Sequence, residues 1–170
     1  IVELAESDER VSAEMFGKRL SCVCGDEVHV RGAPQAGDVP RVVEIEPRRT
    51  LFARTDSRGR TEPLAANLSL LAVIVAPQPA PDSFITDRYL AGAAYAGVAS
   101  LVVVNKADLV SAHDDEFASL MDEYRQAEYP VVALSARDAA TIEPLRGHLR
   151  GRTTMVVGQS GVGKSTLTTQ

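Results

Sequence analysis

The stretch Thr154-Met155-Val156-Val157-Gly158-Gln159-Ser160-Gly161-Val162-Gly163-Lys164-Ser165-Thr166 decides how this chain is read. Four β-favouring residues run into an eight-residue Gly-x-x-x-x-Gly-Lys-Ser loop, and Thr166-Leu167-Thr168 opens a helix behind it. Glycines at these positions let successive backbone N–H groups turn inward around a phosphate, aided by the start of the helix. Lys164 brings a charge that can bridge neighbouring phosphates, Ser165 a hydroxyl for Mg²⁺, and Thr166 a further phosphate contact. The spacing predicts a phosphate cradle made of Gly158, Gln159, Ser160, Gly161, Val162, Gly163, Lys164, Ser165 and Thr166. Ser165 would hold the magnesium ion that accompanies the nucleotide.

Upstream, Asn105-Lys106-Ala107-Asp108 follows the apolar run at 101–104, at a strand end where open parallel sheets bind ligands. The Asp108 carboxylate can accept two hydrogen bonds from guanine, one from the ring N–H and one from the exocyclic amine. Adenine offers neither and would leave the carboxylate unpaired. At about 1.5–3 kcal/mol per charge-assisted bond, that is a large discrimination. Asn105 buttresses the loop, and the stem of Lys106 can cover one face of the ring. Leu134-Ser135-Ala136 ends another apolar run, and in GTPases a Ser135-Ala136 pair so placed presents a backbone N–H to the guanine carbonyl. In ordinary GTPases the phosphate loop comes first. Here the base-reading loop precedes it by about fifty residues, which predicts a circularly permuted domain. Permutation leaves such a site whole because domain termini often lie close together.

The remaining pattern supplies the frame. Residues 19–24, 27–31, 39–45 and 50–54 are short β-favouring stretches separated by Gly, Pro and Asp turns. So small a set of strands closes best as a β-barrel of the oligonucleotide-binding (OB-fold) type. From about Ala66 strands alternate with helices. Apolar strands are expected at 70–76, 101–104, 131–134 and 154–157. Helices are expected from Asp82 or Ser83 to about Gly97, over 114–128 and over 142–149. Alternation of this kind implies a parallel sheet. The expected fold is therefore an OB-type β-barrel over residues 1–66, its N-terminus incomplete. A permuted α/β P-loop GTPase domain with a parallel sheet follows over 67–170, truncated after the phosphate loop.

Composition narrows the function less. The 170 residues are 45 % hydrophobic and 24 % charged, with a net charge of −5. That balance argues against a whole-surface affinity for nucleic acid. Six arginines between Arg41 and Arg60, against Glu44, Glu46 and Asp56, read equally as a local patch for RNA phosphate and as a solvated hairpin face. No apolar run approaches the roughly 20 residues of a membrane helix. Cys22 and Cys24 read as reduced thiols on opposite faces of a strand, since no further Cys or His stands at metal-binding spacing. Cytoplasmic residence is the simplest reading. His29, His113 and His148 fall in no motif.

Several further stretches carry a resemblance. Gly25-Asp26-Glu27-Val28, residues 49–54, Pro63-Leu64-Ala65-Ala66-Asn67 and Asp87-Arg88-Tyr89-Leu90, together with the three nucleotide motifs, resemble the bacterial ribosome-small-subunit-dependent GTPases. The resemblance covers nearly the whole chain. It implies GTP/GDP and Mg²⁺ as ligands and GTP hydrolysis stimulated by the 30S subunit. It also implies a role in late 30S maturation, 16S rRNA contact through the barrel, and a monomer. The family's switch regions and its zinc-binding domain lie downstream of the phosphate loop and are expected beyond Gln170. Zn²⁺ is expected only there, and hydrolysis only of the complete protein. Two other readings remain at this point: a permuted GTPase of the large subunit, and a non-catalytic, nucleotide-switched RNA-binding module.

Overall fold

The computed structural model of the chain describes residues 1–5, 9–16, 21–32, 39–111 and 114–169. His113, most of the turn before Val39 and the start of the expected 19–24 strand lie outside these residues. The N-terminal part is built from short strands: β1 (Val2–Glu3), β2 (Arg10–Val11), β3 (Glu14–Met15), β4 (Val28–Arg31), β5 (Arg41–Ile45), β6 (Leu51–Thr55) and β7 (Thr61–Ala66). They pair as β1-β2, as β3-β5-β4 and as β6-β7, and a Cys24–Ala65 bridge ties the last pair to the segment ahead of β4. These three small sheets are the OB-type unit expected. Residues 21–23 form no strand, however, and Cys22 and Cys24 are both free and exposed.

Asp26 fastens this unit. Its carboxylate is 2 % exposed and accepts from Arg48 Nε at 2.7 Å and Nη2 at 2.8 Å, and from Val23 N–H at 2.9 Å. The Arg48 guanidinium holds that carboxyl below the usual range, outweighing the opposing effect of burial. Three other arginines of the basic stretch are also engaged: Arg49 with Glu27, Arg54 with Glu62 and Arg60 with Asp56. Their side chains are 66 %, 62 % and 70 % exposed, so water and salt screen each of these pairs.

The second part is a four-stranded parallel sheet. Its elements are β8 (Leu70–Val75), α1 (Ser83–Tyr95), β9 (Ala99–Val104), α2 (Asp115–Gln126), β10 (Val131–Ala133), α3 (Glu143–Leu149), β11 (Thr154–Gly158) and α4 (Lys164–Thr168), and the strand order is β10-β9-β8-β11. Every residue of β8 is buried, as a central parallel strand requires. Its side chains alternate between two cores. Leu71, Val73 and Val75 meet Leu90 and Ala93 of α1 and Phe117, Met121 and Tyr124 of α2 on one face. Leu70, Ala72 and Ile74 meet Leu145 of α3 and Val162 on the other.

Asp82, not Ser83, caps α1, accepting from Ile85 N–H at 3.3 Å. Helix α2 ends two residues earlier than its apolar spacing predicts, and Glu128 takes a left-handed φ of 64° beyond it. The first core also takes in Phe52 and Ala65 of the β6-β7 hairpin.

Candidate guanine-nucleotide site

The three motifs sit at the C-terminal ends of β9, β10 and β11, and one side chain joins them. Asn105 is 1 % exposed. Its Nδ2 donates to the Val162 carbonyl of the phosphate loop at 2.8 Å, and its Oδ1 accepts from Ala136 N–H at 3.0 Å. Base-reading loop, Ser-Ala loop and phosphate loop are thereby fixed at one point. Gly163 makes this possible: its φ is 92°, and a Cβ there would occupy the space of Asn105 Nδ2.

Lys106 also reaches the phosphate loop. It stands in a left-handed conformation with φ 57°, and its Nζ donates to the carbonyls of Gly161 and Gln78 at 2.8 Å each. Lys164 Nζ lies over its own loop, donating to Gly158 O at 3.0 Å and Gln159 O at 2.8 Å. Gly158 and Gly161 take φ of 143° and 83°. Two ammonium groups thus lie against carbonyls of the loop, a positive charge that suits phosphates. Gln159 Oε1 accepts from the Asp82 N–H at 3.3 Å, tying the loop to the start of α1.

At the base end a recess of about 350 Å³ is lined by Asp108, Leu134, Ser135, Arg137 and Thr141, among others. Asp108 is exposed. A hydrogen bond from the Ser135 hydroxyl, aided by the charges of Arg137 and Lys106, holds its carboxyl below the ordinary range, so it stays ionised as a guanine acceptor must. The Ser-Ala loop differs in detail from expectation. Ala136 N–H already bonds Asn105, Ser135 N–H bonds Thr141 Oγ1 at 2.9 Å, and Arg137 N–H bonds Ser135 Oγ at 3.3 Å. A guanine carbonyl at this loop would share an N–H with one of these acceptors.

Arg137 and Thr141 were not picked out by motif reading. The only hint was an Asp138-x-x-Thr141 segment suited to a capped turn, and Asp138 does accept from Ala140 N–H at 3.0 Å. A larger recess of about 410 Å³ lies between the 77–83 segment and α2, outside the three motifs. Among the described residues its lining has no cation to meet a phosphate, whereas the three loops converge at Asn105. Among the described residues, no group of three or more His, Cys, Asp or Glu could hold a metal ion. No helix of the described residues is long and apolar enough to cross a membrane.

The family model for RsgA GTPase matches residues 45–170. The chain belongs to that family. A Pseudomonas aeruginosa protein named small ribosomal subunit biogenesis GTPase RsgA is 39 % identical over 168 residues, covering 98 % of this chain and 49 % of the relative. A protein of the same name from Alcanivorax borkumensis is 42 % identical over 149 residues, covering 85 % and 41 %. The chain thus spans about half the length of the curated RsgA relatives it matches. The solved structure of YjeQ from Thermotoga maritima has a TM-score of 0.75 and 26 % identity, covering 96 % of this chain and 57 % of that one. YloQ, described as a circularly permuted GTPase, has a TM-score of 0.68 at 23 % identity, covering 96 % and 56 %, and bears on the fold alone. The order read from the motifs, base-reading loop ahead of phosphate loop, agrees with the circularly permuted fold of YloQ.

Proposed function

We propose that the protein binds and hydrolyses GTP as a cytoplasmic factor in late maturation of the small ribosomal subunit. The observation that carries this is the meeting of three nucleotide motifs on Asn105, in a chain of the RsgA GTPase family. Asn105, Lys106, Asp108, Ser135 and Ala136 serve the base. Gly158, Gln159, Ser160, Gly161, Val162, Gly163, Lys164 and Thr166 serve the phosphates, and Ser165 would carry the Mg²⁺ bound with them. Magnesium there would neutralise phosphate charge as the γ-phosphoryl group leaves. The unit of residues 1–66, with its exchangeable arginine pairs, would face 16S rRNA, and the protein would act as a monomer. Any Zn²⁺ would be held outside residues 1–170, and hydrolysis is ascribed to the full-length protein.

Two measurements test the reading. GTP and ATP affinities of the full-length protein should differ widely, and Asp108→Asn should move the preference from guanine to xanthine nucleotides. Equal affinity of the unaltered protein for ATP and GTP sinks the base assignment. Turnover should rise with 30S particles. A rise with 50S particles instead points to the large subunit, and no turnover with either points to a non-catalytic module.

A further inference from the structure

We propose that Thr141 is a positioning residue for base specificity: its hydroxyl sets the Ser135 loop so that Ser135 holds Asp108 on the guanine edge. The inference rests on the reading of Asn105–Asp108 and Ser135-Ala136 as the base site. Thr141 ends a single 3-10 turn (Ala139–Thr141) and lines the base recess. Its Oγ1 accepts from Ser135 N–H at 2.9 Å, and its one proton has two carbonyls in range, Asp138 at 2.7 Å and Ser135 at 3.0 Å. Both backbone groups of Ser135 therefore lie within reach of one side-chain oxygen six residues away.

Ser135 is 6 % exposed, so an N–H left unpaired there has little water to turn to. Its hydroxyl accepts from Arg137 N–H at 3.3 Å, and Ser135, Asp108 and Thr141 line the same recess, where the Ser135 hydroxyl helps hold the Asp108 carboxyl below its ordinary range. A shift of the Ser135 backbone consequently moves the one hydroxyl that aims the base-reading carboxylate. Asn105 anchors the same loop from the phosphate side at Ala136, and Thr141 supplies a side-chain anchor on the base side. The Thr141 hydroxyl bonds only Ser135 and Asp138 among the described residues, which separates its effect from phosphate binding.

The test compares GDP with inosine diphosphate, which lacks the exocyclic amine and so forfeits one of the two bonds to Asp108. Affinities of the full-length protein for both are measured for the unaltered chain, for Thr141→Val and for Thr141→Ser. Thr141→Val keeps the shape and removes the hydroxyl. It should cut the preference for GDP over inosine diphosphate by about fivefold to tenfold, because inosine diphosphate, with one bond to Asp108 in place of two, weakens less than GDP. Thr141→Ser should retain the preference. Thr141→Ala serves the same comparison if the valine variant does not fold.

Equal weakening of both ligands by Thr141→Val, or no change in either, overturns the proposal, since a merely structural hydroxyl leaves the ratio alone. A failure of the underlying reading looks different: the unaltered protein would then bind GDP, inosine diphosphate and ADP alike.

Discussion

A single carboxylate, Asp26, carries much of the order of the N-terminal unit. It belongs to the Gly25-Asp26-Glu27-Val28 stretch, and its partner Arg48 lies 22 residues away in the basic segment. Because the side chain is almost wholly buried and Arg48 grips it with two nitrogens, removing the charge strands a guanidinium that is itself only 23 % exposed. Asp26→Asn should cost about 2 kcal/mol of unfolding free energy, read as a lower urea midpoint at neutral pH. The pH dependence has a definite sign. The folded-state pKa is lowered from the ordinary 3.8, so the stabilisation is fully present above that value and is lost as pH falls through the folded-state pKa. The gap between the two proteins should therefore stay constant through neutral pH and close only below about pH 3.8. A gap that closes near neutrality would mean another group is responsible.

At the scale of elements, the strand-loop-helix of β11 and α4 was the most legible part of the chain, since every glycine and the Lys-Ser pair stand where phosphate geometry needs them. The sheet strands were legible for a similar reason: continuous apolar runs such as 70–76 suit only strands buried on both faces. Less was visible where tertiary contacts overrode local pattern. Strand β7 holds Pro63, which removes a ladder donor and disguises a strand. It is tolerated opposite Ala53, beside a bulge between Phe52 and Ala53. Strands β1, β2 and β3 have two residues each, too few for any alternation to register. Asp138-x-x-Thr141 marks only a capped turn; the part Thr141 plays at Ser135 goes unread because its partners there are backbone atoms, which no motif encodes. In the phosphate loop the structure adds a reason for one glycine beyond conformation. Gly163→Ala would put a methyl group where Asn105 Nδ2 sits, besides about 1–2 kcal/mol of strain at a positive φ. Guanosine and GDP should both bind at least about tenfold more weakly, because losing the Asn105 bond to Val162 loosens the base loop as well as the cradle. Loss of GDP affinity with guanosine binding untouched would show that the two loops are held independently.

At the scale of the molecule, strand pairing and side-chain packing divide the chain differently. By strand pairing we place the division at residues 66 and 67, where β7 ends and the parallel sheet begins. Side chains cross it. Phe52, 4 % exposed on β6, shares a core with Leu71 and Val73 of β8 and Leu90 and Ala93 of α1. Its ring lies so near Gly92 that a Cβ there would stand 3.3 Å from it, so α1 approaches the hairpin at a position with no side chain of its own. The family match, which begins at Ile45, takes in this hairpin as well. A shared core fixes the orientation of the N-terminal unit relative to the three loops at the sheet's end, because neither can tilt without opening buried apolar surface. Phe52→Ala should therefore cost about 3–4 kcal/mol and act on both parts together. Followed by one probe in the N-terminal unit and another in α2, unfolding of the altered protein should remain a single transition displaced to lower urea. Two separated transitions, with the sheet as stable as before, would show that the hairpin is only an attachment and that nucleotide state at the loops has no rigid path to the barrel.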